Sequence, residues 1–365
     1  ALGGPGAVLW CWLTGLLGIA TKYSEGLLAV KYRVKTADGT MLGGPMYALE
    51  RGAKMKWLGI LFSIFTAIAC IGTGNLTQGN SITSMLKTSF NINPYISGAV
   101  ITVAASVVLL GGVKSIAKVC GSLVPFMAVF YIIGCAVVLV VNAPYLPETV
   151  VTIFSRAFTP QAAAGGFAGS TIIAAMRFGI SRGLFSNEAG MGSTPHAHAC
   201  AKVDHPAQQG FVAMAGVLID TFVVLNLTAF VILTTTTREE IVSQGLTAAA
   251  LSQHAYTSVY GNMGQIFIAI CMFFFAFSTI VGWYFFGKAN INYLFGPKAV
   301  PVYTILVGLC VFLGSLAEVD LVWNMADMFN SLMVVPNIIS LFALSVVVKK
   351  LHDEYYEKKK KGELK

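Results

Sequence analysis

The sequence predicts an all-α, polytopic membrane helical bundle, and three observations carry that prediction. Of 365 residues, 56% are hydrophobic and only 11% charged, with a mean hydropathy of +0.74; a soluble domain carries about 25% charged residues to face water. The apolar stretches are long enough for helices across a hydrocarbon core of about 30 Å. They lack the period-two alternation of an outer-membrane barrel. The same composition excludes disordered, fibrous and small disulfide-stapled classes.

Apolar windows of about 19 residues mark nine spans, at 5–30, 57–86, 94–111, 119–142, 162–183, 209–234, 262–287, 300–317 and 321–348. Two further segments, near 147–157 and 238–258, read as interfacial helices. Positive charges sort between alternate connections: twenty Lys and Arg lie on one side, and only Lys87, Arg156 and Arg238 on the other. By the positive-inside rule the C-terminus is cytoplasmic. The chain divides into a transmembrane domain, 1–348, and a basic cytoplasmic tail, 349–365, placed in the cell membrane as a multi-pass protein. Counting back through nine spans puts residue 1 outside the cytoplasm or part-way through the membrane. ALGGPGAV reads as the edge of a span, so an upstream span is expected.

The net charge of +8 belongs to runs beside spans, where anionic lipid headgroups attract them. No aromatic interleaving points to nucleic acid, and no obligate protein partner is visible. Seven cysteines lie singly, mostly in apolar stretches, with neither disulfide nor zinc spacing. His196, His198 and His205 lack metalloprotease spacing, and no HExxH, GxSxG or Walker pattern occurs. Neither an enzyme nor an ATP-driven pump is therefore expected, and no resident cofactor. A channel would need a continuous polar stripe, which these spans lack.

Irregular backbone at membrane depth is tolerated only where protein or water surrounds it, and glycine-interrupted spans point to transport sites. Residues 163–200 are too many for one straight helix across about 30 Å and contain seven glycines. They read as a discontinuous helix, broken at Gly165–Ser170 or at Gly183–Ser193. The second span carries GTGNLTQGN at 72–80. Asn75 and Gln78, three apart, share a face with Thr73 and Thr77 nearby, which suits a cavity wall better than interhelical glue. In the seventh span Ser278 and Thr279 lie near the centre, with Trp283 one turn beyond Thr279. Paired hydroxyls suit a hard cation such as Na⁺, although they also back-bond to their own helix.

Charges inside spans usually face the bundle interior. Lys22 and Glu25, three apart, are expected to pair with each other. Asp220 and Asp327 read as structural or as proton relays, the structural role being favoured. Arg177, Arg182 and Glu188 form either a cytoplasmic gate or ordinary surface salt bridges.

Several long stretches together resemble the alanine or glycine:cation symporter family: GGPGAVLWCWLTGLLG (3–18), ATKYSEGLLAVKYR (20–33), GGPMYALERG (43–52) and RFGISRGLFSNEAGMGSTPHAHA (177–199). Leu9 and Cys11 depart from the family's Phe and Met. The likeness covers nearly the whole chain. It implies a leucine-transporter-type fold of two five-helix inverted repeats, with the visible spans as helices two to ten of the core and the first core helix absent. The discontinuous segment becomes helix six. By position, Gln78 and possibly Asn75 line the amino-acid site from helix three, and Thr279 and Trp283 line it from helix eight. Ser278 and Thr279 match the sodium site, and Phe167, beside Gly166 and Gly169, matches an aromatic gate. The implied activity is uptake of small neutral amino acids, alanine and glycine, coupled to Na⁺ by alternating access. Proton coupling through Asp220 or Glu188 is the alternative.

Overall fold

The computed structural model describes residues 3–36, 39–158, 172–246 and 248–364. These are almost wholly helical, with one two-stranded antiparallel ladder, β1 (Val34–Lys35) and β2 (Met41–Leu42). Among them six helical runs are long and apolar enough to cross a membrane: Lys56–Phe90, Gly112–Val141, Pro206–Thr235, Asn262–Phe295, Pro297–Leu316 and Leu321–Ala343.

The helices are α1 (Ala7–Lys31), α2 (Lys56–Ala69), α3 (Thr77–Phe90), α4 (Pro94–Leu110), α5 (Gly112–Val141), α6 (Leu146–Phe158), α7 (Ile172–Asn187), α8 (Pro206–Ile219), α9 (Asn226–Thr235), α10 (Arg238–Ser243), α11 (Ala248–Tyr260), α12 (Asn262–Phe295), α13 (Val300–Leu316), α14 (Val319–Ala343) and α15 (Ser345–Lys360). Their ends follow local chemistry. Asn93 caps α4 by accepting from the Tyr95 N–H, with Pro94 at the first helical position. His205 and Gln208 form a capping box on α8, as do Thr237 and Glu240 on α10. The Thr237 N–H and hydroxyl hold the exposed Glu240 carboxyl below its ordinary range.

Two long runs are interrupted rather than broken. A π-helical stretch, Cys70–Leu76, joins α2 to α3, and another, Asp220–Leu225, joins α8 to α9. The expected span 321–348 is shorter than predicted. Helix α14 stops at Ala343, and Leu344 (φ −104°, ψ 9°) turns the chain into α15. The basic tail thus forms a helix with Leu351 and Tyr355 buried, and the His352 Nδ1 lies 2.8 Å from the Tyr23 hydroxyl. The expected interfacial helix 238–258 divides into α10 and α11, with turn residues Gln244 and Gly245 between them.

Helix α1 packs between α7 and α8. Ala7 and Trp10 meet Gly179, Thr14 meets Gly183, and Gly18 meets Ala189, so α1 and α7 run parallel. Gly15 meets Thr221 and Gly26 meets Ala213, so α1 and α8 run antiparallel. Small residues at these crossings let the backbones approach, as helix association in lipid requires. Helix α12 is the central strut, packed against α2, α3, α5, α11 and α13. Its Trp283, Phe285 and Phe286 share a core with Phe62, Cys70, Met191 and Met333.

Candidate functional site

The stretch Cys70–Leu76, CIGTGNL, is π-helical. A widened turn leaves carbonyls without their usual i+4 donors, and π-bulges recur at functional sites. Side chains fill the gap here. The Asn75 Nδ2 donates to the Cys70 carbonyl (2.6 Å), the Thr77 hydroxyl to Gly72 (2.9 Å) and the Gln78 Nε2 to Thr73 (3.2 Å), each five residues back. The Asn75 Oδ1 is buried without a hydrogen-bond partner. Thr73 donates to the Asn330 Oδ1 on α14 (2.9 Å), tying the π segment to a third helix.

Facing this stretch is α12. Cys70 meets Gly287 and Gly74 meets Trp283, so the two elements run antiparallel, and the same register brings Gln78 level with Thr279. Gly74 has to be glycine: a Cβ there would lie 2.2 Å from the Trp283 Cβ. Gln78 lies one helical turn beyond Gly74, and Thr279 one turn before Trp283, on these two facing elements. The hydroxyls of Ser278 and Thr279 both donate to the Phe275 carbonyl, at 2.9 and 2.8 Å, which leaves their oxygen lone pairs able to ligate. They face different neighbours, however. Ser278 lies 3.7 Å from the Met127 sulfur on α5, while Thr279 is half-buried on the Trp283 face.

The third component is the chain after α7. That helix ends at Asn187, and residues 188–194 run without helix through the interior before the single turn Pro195–His198. Glu188, Gly190 and Gly192 have positive φ (51°, 87° and 79°); for Glu188 this is a strained conformation that the surroundings must impose. Non-helical backbone therefore falls within the expected Gly183–Ser193 interval, after Asn187. The alternative at Gly165–Ser170, with Gly166, Phe167 and Gly169, lies outside the described residues.

Polar groups hold the irregular segment. The Glu25 Oε1 accepts from the Gly190 and Gly192 N–H groups (3.1 and 3.0 Å) and from the Asn337 Nδ2 (2.6 Å). Lys22 donates to the Asn187 carbonyl (2.8 Å), at the C-terminal end of α7 where a cation suits the helix dipole. Lys22 and Glu25 accordingly do not form the expected ion pair. Each is drawn across to backbone groups freed by the break, which need partners more than the two side chains need each other. Thr221 donates to the Asn187 Oδ1 (2.9 Å), Ser186 to the Asp220 Oδ2 (2.6 Å) and Ser193 to Glu188. Met191 of the same segment packs in one core with Trp283, which links it to α12.

The remaining candidates scatter. Arg182 pairs with the Asp327 Oδ2 at 2.6 Å and lies 5.3 Å from the Trp323 ring centroid; it does not pair with Glu188. Arg177 lies over Phe178. His196 sits between the Ser193 carbonyl and Asn290, and His198 contacts Gln209. Burial pushes both imidazoles down to about 4. Asn290, Asn330 and Asn337 went unpredicted. Asn330 and Asn337 lie on α14 and Asn290 near the end of α12, and Asn337 follows Pro336, a helix-interior proline that could have flagged it.

Long apolar helices around an interrupted, polar-lined interior define a multi-pass membrane transporter. The chain matches the sodium:alanine symporter family over residues 1–365 and belongs to it. It is 43% identical over 351 residues to the sodium/alanine symporter AgcS of Methanococcus maripaludis, covering 95% of this chain and 76% of that protein. It is 38% identical to the probable sodium/glutamine symporter GlnT of Bacillus subtilis (99% of this chain, 74% of the relative). It is 37% identical to the amino-acid carrier protein AlsT of the same organism (99% and 76%).

Proposed function

We propose that this protein imports small neutral amino acids, alanine and glycine, driven by a Na⁺ gradient through alternating access. The observation that carries the reading is the close contact of Gly74 with Trp283 at a π-helical interruption, next to a buried non-helical segment whose Met191 packs in the same core; Gln78 and Thr279 follow one turn along each element. A zwitterion at membrane depth needs oxygen acceptors for its ammonium and backbone N–H donors for its carboxylate. The free Gln78 oxygen supplies an acceptor, and the Thr279 hydroxyl oxygen adds a ligand for Na⁺, with Ser278 beside it. Trp283 closes the side-chain end of the pocket to all but a hydrogen or methyl group. Phe167, beside Gly166 and Gly169 in the sequence, is the aromatic gate in this reading.

In this reading the chain has the leucine-transporter-type arrangement of two inverted five-helix repeats. The α2–α3 run is helix three, α7 with residues 188–194 is helix six, and α12 is helix eight. The C-terminal helix α15 lies on the cytoplasmic side, as the charge asymmetry predicts. The names of the relatives, one a sodium/alanine and one a sodium/glutamine symporter, support sodium and a neutral substrate.

A second reading, proton coupling, is favoured by one observation: Glu188, on the interior non-helical segment, accepts a hydrogen bond from Ser193. Uptake of labelled alanine into proteoliposomes under isolated Na⁺ or H⁺ gradients separates the two. Sodium coupling predicts accumulation with Na⁺ alone, retained in Asp220→Asn. Accumulation with a proton gradient alone, lost in Glu188→Gln, would replace it.

A further inference from the structure

The two oxygens of Glu25 are treated unequally. Oε1 takes three donors, the Gly190 and Gly192 N–H groups and the Asn337 amide. Oε2 is buried and has no hydrogen-bond partner, in a side chain only 2% exposed. A bare carboxylate oxygen in the interior is costly unless a donor or a positive charge meets it. Glu25 lines a cavity shared with Asn337, Ser340, Gly44, Pro45 and Pro195, with room for a single water-sized occupant.

The charges around this cavity favour a positive occupant. Lys22 is the nearest cation, and its ammonium is committed to the Asn187 carbonyl at 2.8 Å, beyond ion-pair distance from Glu25. Glu188 and Asp220 lie close enough to act on the same ammonium, so three acidic side chains surround one lysine here. The side-chain donors at the cavity are oxygens (carboxylate, amide, hydroxyl), with neither thiol nor imidazole among its lining. That set suits a hard cation.

We propose that Glu25, with Asn337 and Ser340, binds one monovalent cation of sodium size, at a site distinct from Ser278 and Thr279 on α12. The carboxylate that would ligate it also holds Gly190 and Gly192. Occupancy therefore stiffens the buried 188–194 segment, and loss of the ion loosens it. This site does not depend on the transport reading, because a cation can bind here whether or not alanine is carried.

The test is equilibrium binding of radioactive sodium to the purified full-length protein, compared among wild type, Glu25→Gln, Ser340→Ala and Thr279→Ala. The expected result is one fewer bound sodium per chain in Glu25→Gln, several-fold weaker binding at that site in Ser340→Ala, and retention of the site in Thr279→Ala. A folded Glu25→Gln that binds as many sodium ions as wild type overturns the proposal and leaves only water in the cavity. Should Glu25→Gln not fold, Ser340→Ala decides: unchanged sodium affinity overturns the proposal equally. Alanine uptake, measured separately, reports on the transport reading alone.

Discussion

Gly74 of the π-helical stretch lies against Trp283 so closely that a Cβ on the glycine would come within 2.2 Å of the Trp283 Cβ. Because Trp283 is anchored on α12, the clash cannot be relieved by swinging a flexible end aside. Gly74→Ala is therefore expected to push the two helices apart, costing about 1–3 kcal/mol in stability and more than tenfold in uptake. Gly282 has open space where a Cβ would go, so Gly282→Ala should leave both within about twofold. Thermal unfolding and alanine uptake of the two variants check this.

Trp283 has a second consequence, for selectivity. If its indole ends the side-chain pocket, Trp283→Ala enlarges that pocket and weakens rejection of larger substrates. Each added methylene is worth about 1–3 kcal/mol in such a pocket. Valine or leucine should then compete with labelled alanine at least tenfold better in Trp283→Ala than in wild type. Gln78→Ala should instead raise the KM for alanine about tenfold without changing the order of competitors.

Arg182 and Asp327 form a short but half-exposed pair, with side-chain exposures of 39% and 41%. Exposed pairs of this kind are worth about 0–1 kcal/mol. Asp327→Asn should accordingly change uptake by less than about twofold. Arg182→Ala should cost more stability, because the guanidinium also stacks near Phe185 and Trp323. Unfolding midpoints of the two variants give the ordering.

How much of this was legible in the sequence varied with the physics behind each element. Span positions followed from hydropathy, since lipid admits few alternatives to a long apolar helix, and the runs at 56–90, 206–235 and 262–295 contain their predicted windows. Gln78 drew notice among the amides and hydroxyls of GTGNLTQGN, and Thr279 as one of a central hydroxyl pair, while their grouping with Trp283 in one site rests on the family resemblance. The Lys22–Glu25 pairing failed for a different reason. Spacing along one helix says nothing about backbone groups that a distant loop presents, and it was Asn187, Gly190 and Gly192 that took those side chains. Asn337 was missed on the same ground, its partner being 147 residues away. The π-helical turns were missed because glycine spacing marks an irregularity without specifying its form.

His196 and His198, pushed down to about 4 by burial, are neutral in the folded protein near neutral pH. The unfolded chain binds protons near pH 6.5, so it takes up more protons than the folded protein between about 6.5 and 4. Stability is then fully present above about pH 6.5 and falls as the pH drops toward 4. His198→Gln should flatten part of that loss, seen as a shallower dependence of the unfolding midpoint on pH than in wild type.

The central claim places the amino acid against the antiparallel face shared by the π-helical stretch and α12. A structure of the full-length protein determined in sodium and saturating alanine tests it most directly. The predicted result is alanine-sized density between the Gln78 amide and the Trp283 indole, with Thr279 alongside. Density for alanine elsewhere in the bundle, with Gln78 and Trp283 still packed as in the free protein, would contradict it.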